Sequence, residues 1–231
     1  MQFFGIQKNT LIDYPGEVAS TLFTFGCNFY CPYCHNPELI NKDNKIKPIG
    51  WDDIFNFLKK RMNVLGGVCI SGGEPLLYEE LPDIINKISS LGLKVKIDTN
   101  GSFPDRLIKC KVNYIAMDIK SSMDKYKYVC KIEKNKLEQL LQQSIYYIIN
   151  SNIQYEFRTT VVPEIVEMDD IRKIVDLIKG AKKYVLTQFR PKNTLDTEYE
   201  SIPPYPFSVL EKMKKIVESN GIECEIRGGY N

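Results

Sequence analysis

The sequence predicts an α/β fold with a mostly parallel sheet, arranged as a full or incomplete (β/α) barrel. Short segments rich in apolar residues alternate with amphipathic helical segments along the chain. Parallel neighbours need such a helical crossover, and six or seven of these units favour a barrel over a flat doubly wound sheet. The length of 231 residues favours one domain, spanning residues 1–231.

The first half of the chain contains three strand segments and three helical segments. Apolar residues in 51–62 recur every three or four positions, as they do on one face of a helix. The segment 77–91 has a similar pattern and is followed by Gly92, a residue common just after a helix. The predicted strands are 19–25, 66–71 and 93–98, and the predicted helices are 51–62, 77–91 and a short one at 105–109.

The second half repeats the alternation and contains the most regular amphipathic helix, at 136–150. Pro163 follows the strand segment 153–162 and ends it, because proline has no N–H to donate to a neighbouring strand. The predicted strands here are 112–120, 153–162, 183–189 and 222–227, and the predicted helices are 136–150, 169–179 and 207–220.

Composition and charge favour a cytoplasmic protein. The 31 basic and 29 acidic residues nearly cancel, so the sequence gives no strong field for nucleic acid or a membrane surface. No apolar run approaches the roughly 20 residues of a membrane span, and the opening MQFFGIQKN does not have the pattern of a secretory signal. The seven cysteines are odd in number and scattered, which predicts free thiols in a reducing compartment.

Three of these cysteines form a cluster motif directly after the first predicted parallel strand. Cys27, Cys31 and Cys34 have the spacing C-x3-C-x2-C, which supplies three thiolates on one loop. A cubane iron–sulfur cluster has four irons that each need one outer ligand, so three cysteines leave one iron open. A zinc site completed by His35 is the alternative, because structural zinc takes four protein ligands.

The other unusual motifs also follow the carboxyl ends of predicted strands. In both barrels and open α/β sheets this is the edge where ligands bind, so the motifs are expected to form one composite site. They are SGGEP after 66–71, DTNG at the end of 93–98, MDIK at the end of 112–120, RTTVVP at the end of 153–162 and QFRP after 183–189.

The cysteine loop followed one strand later by GGEP resembles the radical S-adenosylmethionine superfamily. The resemblance implies that Cys27, Cys31 and Cys34 hold a [4Fe–4S] cluster whose open iron chelates the amino and carboxylate groups of S-adenosylmethionine. One-electron reduction of the bound cofactor then gives methionine and a 5′-deoxyadenosyl radical.

The resemblance also assigns residues around the methionine and adenine groups of the cofactor. Gly72, Gly73 and Glu74 are expected to receive the methionine ammonium, and Tyr33 is expected to lie beside the cluster and the adenine. The residue types by themselves allow simpler interpretations. A Gly-Gly pair is common in turns between a strand and a helix, and Tyr33 has the alternative of a core position.

A further set of predicted cofactor residues is charged or polar. In the glycyl-radical-enzyme activating enzymes that this sequence also resembles, residues matching Asp98, Thr99 and Asp118 bind a monovalent cation near the cofactor carboxylate. Lys120 and Arg158 are the cationic candidates for that carboxylate or the ribose region. Oxygen ligands of this kind suit a hard cation. The alternatives are a capped turn for the residues after 93–98 and ordinary ion pairs for the two cations.

A narrower resemblance covers most of the chain. Five motifs are similar to those of glycyl-radical-enzyme activating enzymes: FGCNFYCPYCHNPEL, SGGEPLL, DTNG, MDIK and R-x4-P. Three further segments resemble the activating proteins of anaerobic ribonucleoside-triphosphate reductase: FFGIQKNTLIDYPG, TQFRPKNTLD and EIRGG. These resemblances imply a partial (β/α)6-type barrel, abstraction of hydrogen from a backbone glycine of a partner, and a flavodoxin or ferredoxin as electron donor.

Two other functions fit the sequence. One is a small-molecule radical enzyme resembling 7-carboxy-7-deazaguanine synthase, and the other is a non-catalytic iron–sulfur or zinc sensor. The stretch from Glu38 to Gly50 contains no cysteine, which predicts one cluster. Of the remaining cysteines, Cys69 lies in an apolar strand and is expected in the core, while the other three are too dispersed for a second cluster loop.

Overall fold

The computed structural model describes residues 1–40, 47–130 and 134–228 and contains an eight-stranded sheet with helices packed along it. The strands follow one another in chain order across the sheet. The first pair is antiparallel and all later pairs are parallel. The strands are β1 (Phe3–Thr10), β2 (Ala19–Thr24), β3 (Gly67–Gly72), β4 (Lys94–Thr99), β5 (Tyr114–Asp118), β6 (Gln154–Val161), β7 (Lys183–Gln188) and β8 (Glu223–Arg227).

The helices occupy the crossovers between the parallel strands, as the sequence predicts. In the described ranges, none of them is long and apolar enough to cross a membrane. They are α1 (Trp51–Arg61), α2 (Leu81–Ser89), α3 (Pro104–Leu107), α4 (Tyr126–Val129), α5 (Lys134–Asn150), α6 (Met168–Leu177) and α7 (Phe207–Glu218), with short 3-10 turns at Pro37–Leu39, Pro75–Leu77 and Thr197–Ser201.

The fold class is confirmed, since the sheet is mostly parallel and its edge strands β1 and β8 do not pair with each other. All seven predicted strands are present. The prediction missed β1, in which only Phe3 and Thr10 are buried, so the strand carries a weak hydrophobic pattern. It also missed the single-turn helix α4, which is too short to show helical periodicity.

The two faces of the sheet differ in chemistry. Residues such as Val95 and Ile97 pack into the main hydrophobic core with the helices. Because side chains alternate along a strand, Lys96 and Asp98 of the same strand point to the opposite, concave face. That face contains ion pairs, and Lys96 is almost completely buried there. Polar residues are therefore concentrated on the side where the strand-end motifs converge.

The loop between β1 and β2 covers part of the concave face. Tyr14 is buried against Tyr114 of β5, with ring centroids 5.9 Å apart. A side chain at Gly67 would collide with the Tyr14 ring, so this strand position requires glycine. Leu11 and Ile12 at the tip of the same loop remain about three quarters exposed, at 76% and 80%.

Candidate active site

The predicted site residues surround one cavity of about 250 Å³ at the carboxyl ends of β2 to β6. We call it the cysteine cavity. Eleven of the twelve residues predicted from the sequence line it, and Glu74 is the exception. The eleven are Cys27, Cys31, Tyr33, Cys34, Gly72, Gly73, Asp98, Thr99, Asp118, Lys120 and Arg158.

The cysteine loop begins two residues after β2 ends, where Gly26 adopts a positive φ of 82° and turns the chain. Cys27, Cys31 and Cys34 all border the cavity, and none of them forms a disulfide. Burial raises the pKa of Cys27 to about 11 and that of Cys31 to about 12. Iron binding would therefore displace protons from these thiols.

The donor set fits an iron–sulfur cluster. Three free thiols on one loop face one cavity, which matches three irons of a cubane and leaves the fourth without a cysteine ligand. Across residues 1–40, 47–130 and 134–228, no three His, Cys, Asp or Glu side chains converge as one metal ion would require. The His35 ring instead stacks on Phe189 at 6.0 Å and its Nδ1 lies 3.1 Å from the Lys192 carbonyl oxygen.

The GGEP turn packs directly against the start of the cysteine loop. The Gly73 N–H donates to the Thr24 carbonyl at 3.0 Å, and the Glu74 N–H donates to the Gly26 carbonyl at 2.8 Å. An added Cβ at Gly73 would overlap the Gly26 carbonyl group, and Gly72 has a φ of 118°. The two glycines are therefore required by close approach of two backbone segments, in addition to any ligand contact.

The Glu74 side chain is fully buried behind the cavity wall. Its carboxylate accepts hydrogen bonds from the Thr99 hydroxyl at 2.8 Å, the Asn100 N–H at 2.7 Å and the Leu76 N–H at 3.0 Å. Burial raises its pKa to about 7, although these three donors favour the ionised form. The carboxylate thus joins the end of β3 to the end of β4, and its contact with a methionine ammonium stays a prediction.

The opposite wall of the cavity consists of paired charges. Asp118 lies 2.8 Å from the Arg158 Nε and 2.9 Å from the Lys120 Nζ, and Arg158 also approaches Asp98 at 3.5 Å. Lys96, two residues earlier on the same strand, forms a second ion pair with Asp98. Burial alone would raise the pKa values of both aspartates, but the neighbouring cations outweigh it and lower them. Both aspartates are therefore ionised near neutral pH.

This pairing bears on the predicted cation site. Arg158 and Lys120 already neutralise Asp98 and Asp118, and the Thr99 hydroxyl donates to Glu74. A monovalent cation at these positions stays a prediction.

Tyr33 connects the cysteine loop to the charged wall. Its side chain is buried, and its hydroxyl donates to the Lys120 carbonyl at 3.4 Å. The Tyr126 hydroxyl accepts from the Lys120 N–H at 3.0 Å, so two aromatic residues fix the backbone after β5. Sequence reasoning assigned no site role to Tyr126 or to the cavity residues Asn100 and Thr160. The motif DTNG was the available signal for Asn100, but its residue types are equally typical of turns.

Comparison with known proteins decides the family. Residues 21–178 match the model of the radical SAM superfamily, and this span contains the cysteine loop and every other predicted site residue. The chain belongs to the radical SAM superfamily. Membership implies a [4Fe–4S] cluster and S-adenosylmethionine as cofactors, in agreement with the donor set of the cavity. When bound, these two cofactors supply a 5′-deoxyadenosyl radical.

Similar proteins narrow the assignment within the superfamily. The "Putative glycyl-radical enzyme activating enzyme MJ1227" of Methanocaldococcus jannaschii is 33% identical over 221 residues, covering 93% of this chain and 90% of the relative. The pyruvate formate-lyase-activating enzyme of Clostridium pasteurianum is 28% identical and covers 91% and 90%. The chain is accordingly a radical SAM enzyme of the glycyl-radical enzyme activating group.

A solved structure of another member supports the fold. A radical SAM methyltransferase from Sphaerobacter thermophilus superposes with a TM-score of 0.70 at 13% identity, covering 93% of this chain and 67% of that one. At this identity the likeness concerns the fold alone, and it agrees with the partial barrel.

Proposed function

We propose that this enzyme activates an anaerobic ribonucleoside-triphosphate reductase by abstracting hydrogen from a backbone glycine of that partner. The partner assignment is supported by the segments FFGIQKNTLIDYPG and TQFRPKNTLD and by the terminus EIRGG, whose final Gly229 lies outside the described residues. The free cysteines suit a reducing cytoplasm, and we propose a flavodoxin or ferredoxin as the electron donor.

The observation that favours a protein substrate over a small molecule is a groove that adjoins the cysteine cavity. We call it the lateral groove. It has a volume of about 630 Å³, and its lining includes Leu11, Ile12, Gln188 and Arg227. His35 and Thr160 line both the groove and the cysteine cavity. A protein loop can enter along such a path, whereas a small-molecule enzyme encloses its substrate.

In this proposal, different cavity residues bind the cluster and the separate parts of S-adenosylmethionine. Cys27, Cys31 and Cys34 hold the cluster, and the carbonyl groups of Gly72 and Gly73 receive the methionine ammonium. Lys120 and Arg158 interact with the carboxylate or the ribose, and Tyr33 lies beside the adenine. This division places cationic groups toward anionic parts of the cofactor, which is the arrangement that the paired-charge wall supports.

The proposal is tested by activating the reductase under anaerobic conditions. The reconstituted enzyme, dithionite, S-adenosylmethionine and the anaerobic reductase encoded by the same organism are incubated together and examined by EPR spectroscopy. The expected result is a glycyl radical on the reductase that is absent when the radical-bearing glycine is replaced by alanine. Cofactor cleavage without a radical on the reductase would overturn the partner assignment and favour a small-molecule substrate. Absence of cofactor cleavage by a fully loaded, reducible enzyme would favour the sensor.

A further inference from the structure

Asn100 belongs to a closed set of hydrogen bonds that joins the end of β4 to the cysteine loop. Its amide nitrogen donates to the Asn28 side-chain oxygen at 2.9 Å, and the Asn28 amide nitrogen donates to the Ser102 hydroxyl at 2.8 Å. The Ser102 hydroxyl donates back to the Asn100 side-chain oxygen at 2.6 Å. Asn100 and Ser102 are both about 4% exposed, whereas Asn28 is only partly buried.

The ring fixes which end of the Asn100 amide faces the cysteine loop. The Ser102 backbone N–H lies 3.0 Å from the Asn100 Oδ1 and can only donate, so this atom must be the oxygen. The nitrogen carries two hydrogens, and Asn28 accepts one of them. The same nitrogen lies 4.0 Å from the Cys27 sulfur, which leaves the second hydrogen available to that sulfur.

Cys27 also accepts from a backbone group. The Phe29 N–H lies 3.4 Å from the Cys27 sulfur. Two N–H groups on different segments therefore approach the sulfur of one predicted cluster ligand, and the segment that carries Asn100 lies 73 residues away in sequence.

We propose that Asn100 sets the reduction potential of the cluster by donating an amide N–H to the Cys27 sulfur, an inference that rests on the cluster ligands of the proposed function. A hydrogen bond to a cysteine ligand withdraws electron density from it and stabilises the reduced, more negative cluster. Asn100 thus makes the cluster easier to reduce by a low-potential donor. The bonds to the Asn28 side-chain oxygen and from the Ser102 backbone N–H hold the amide in this orientation.

The test compares midpoint potentials of reconstituted variants by anaerobic redox titration, with the EPR signal of the reduced cluster as the readout. Asn100→Ala removes the donor and is expected to lower the ratio of reduced to oxidised cluster at a fixed potential about tenfold, which equals 59 mV for a one-electron couple. Ser102→Ala is the matched control, because Asn100 then keeps its bonds to Asn28 and to the Ser102 backbone. This control is expected to stay within about twofold of the unaltered enzyme.

Equal potentials for Asn100→Ala and the unaltered enzyme would overturn the proposal. An equally large shift in Ser102→Ala would also overturn it, since the ring rather than the donor would then be responsible. Should Asn100→Ala fail to retain a cluster, Asn100→Asp is measured instead, because it preserves the side-chain size but lacks the N–H. A potential for Asn100→Asp that matches the unaltered enzyme contradicts the proposal.

The titration is made without S-adenosylmethionine and without the partner. A loaded enzyme that titrates as expected but does not cleave the cofactor would therefore count against the proposed function alone. A loaded enzyme that activates the reductase while Asn100→Ala keeps the original potential would count against the Asn100 proposal alone.

Discussion

The two walls of the cysteine cavity are built by different physical means. The wall formed by the cysteine loop and the ends of β3 and β4 is joined by hydrogen bonds, such as those donated by Gly73 and Asn100 and those accepted by the Glu74 carboxylate. The wall formed by β5 and β6 is joined by ion pairs among Asp118, Lys120 and Arg158. Sulfur and iron need a fixed, water-poor loop, whereas a zwitterionic cofactor needs charges. We therefore call the first the cluster wall and the second the charged wall.

The largest expected effect follows from breaking the cluster wall at a cysteine. Cys31→Ala removes one of the three predicted iron ligands, and we expect it to abolish both the cluster and cofactor cleavage, as measured by iron content and by 5′-deoxyadenosine in mass spectrometry. Cys224→Ala, at a buried cysteine of β8 outside the cavity, is the matched control and is expected to retain both. Full iron loading of Cys31→Ala would contradict the ligand assignment.

The second largest effect is expected on stability, at the point in the cluster wall where the GGEP turn packs against the backbone of Gly26. Gly73→Ala forces a Cβ into the Gly26 carbonyl group, and we expect it to lower the free energy of unfolding by about 3 to 4 kcal/mol, as measured by chemical denaturation. Gly50→Ala, where an added Cβ meets only an ordinary contact with Asp53, is expected to cost less than about 1 kcal/mol. Equal costs for the two substitutions would show that the GGEP turn is not restricted by packing.

The two walls are expected to change the free energy of unfolding in opposite directions as pH rises. The pKa of Glu74 is raised to about 7, so the folded state binds a proton more tightly than the unfolded state. Stability from this group is therefore present at low pH and falls by roughly 3 kcal/mol as pH rises from about 4.5 to 7. The free energy of unfolding is measured by chemical denaturation at several pH values in this range. Its dependence on pH should become flatter in Glu74→Gln and stay unchanged in Glu79→Gln, an exposed position of the adjacent loop.

The aspartates of the charged wall have the opposite response. Because their pKa values are lowered, their contribution is present above the unfolded pKa of about 4 and is lost as pH falls below it. An equally steep fall in the free energy of unfolding between pH 5 and 7 in Glu74→Gln and in the unaltered protein would count against this contrast.

The smallest effect is expected from the charged wall itself. Arg158→Met leaves Asp118 and Asp98 with one cation fewer each, raises their pKa values and moves the onset of acid unfolding to higher pH. Because about a fifth of the Arg158 side chain is exposed, we expect a cost of about 2 kcal/mol at neutral pH rather than the larger cost of a fully buried pair. Arg172→Met, at an exposed position of α6, should change stability by less than about 0.5 kcal/mol.

The parallel sheet and the position of the site could both be predicted from sequence patterns. The alternation of strands and helices predicts the parallel sheet, and the position of each motif after a strand predicts their convergence. The partners of Glu74 could not be predicted, because they depend on how closely the ends of β3 and β4 approach in space. The same holds for β1, whose pairing with β2 compensates for a weak hydrophobic pattern.

Isotope labelling can follow the hydrogen that the enzyme is proposed to abstract from the partner glycine. The anaerobic reductase is produced with α-deuterated glycine, activated by the reconstituted enzyme, and the 5′-deoxyadenosine is analysed by mass spectrometry. The proposed function predicts deuterium in the 5′-deoxyadenosine, and no deuterium when the radical-bearing glycine is replaced by alanine. Formation of 5′-deoxyadenosine without deuterium, alongside a loaded and reduced enzyme, would contradict hydrogen abstraction from this partner.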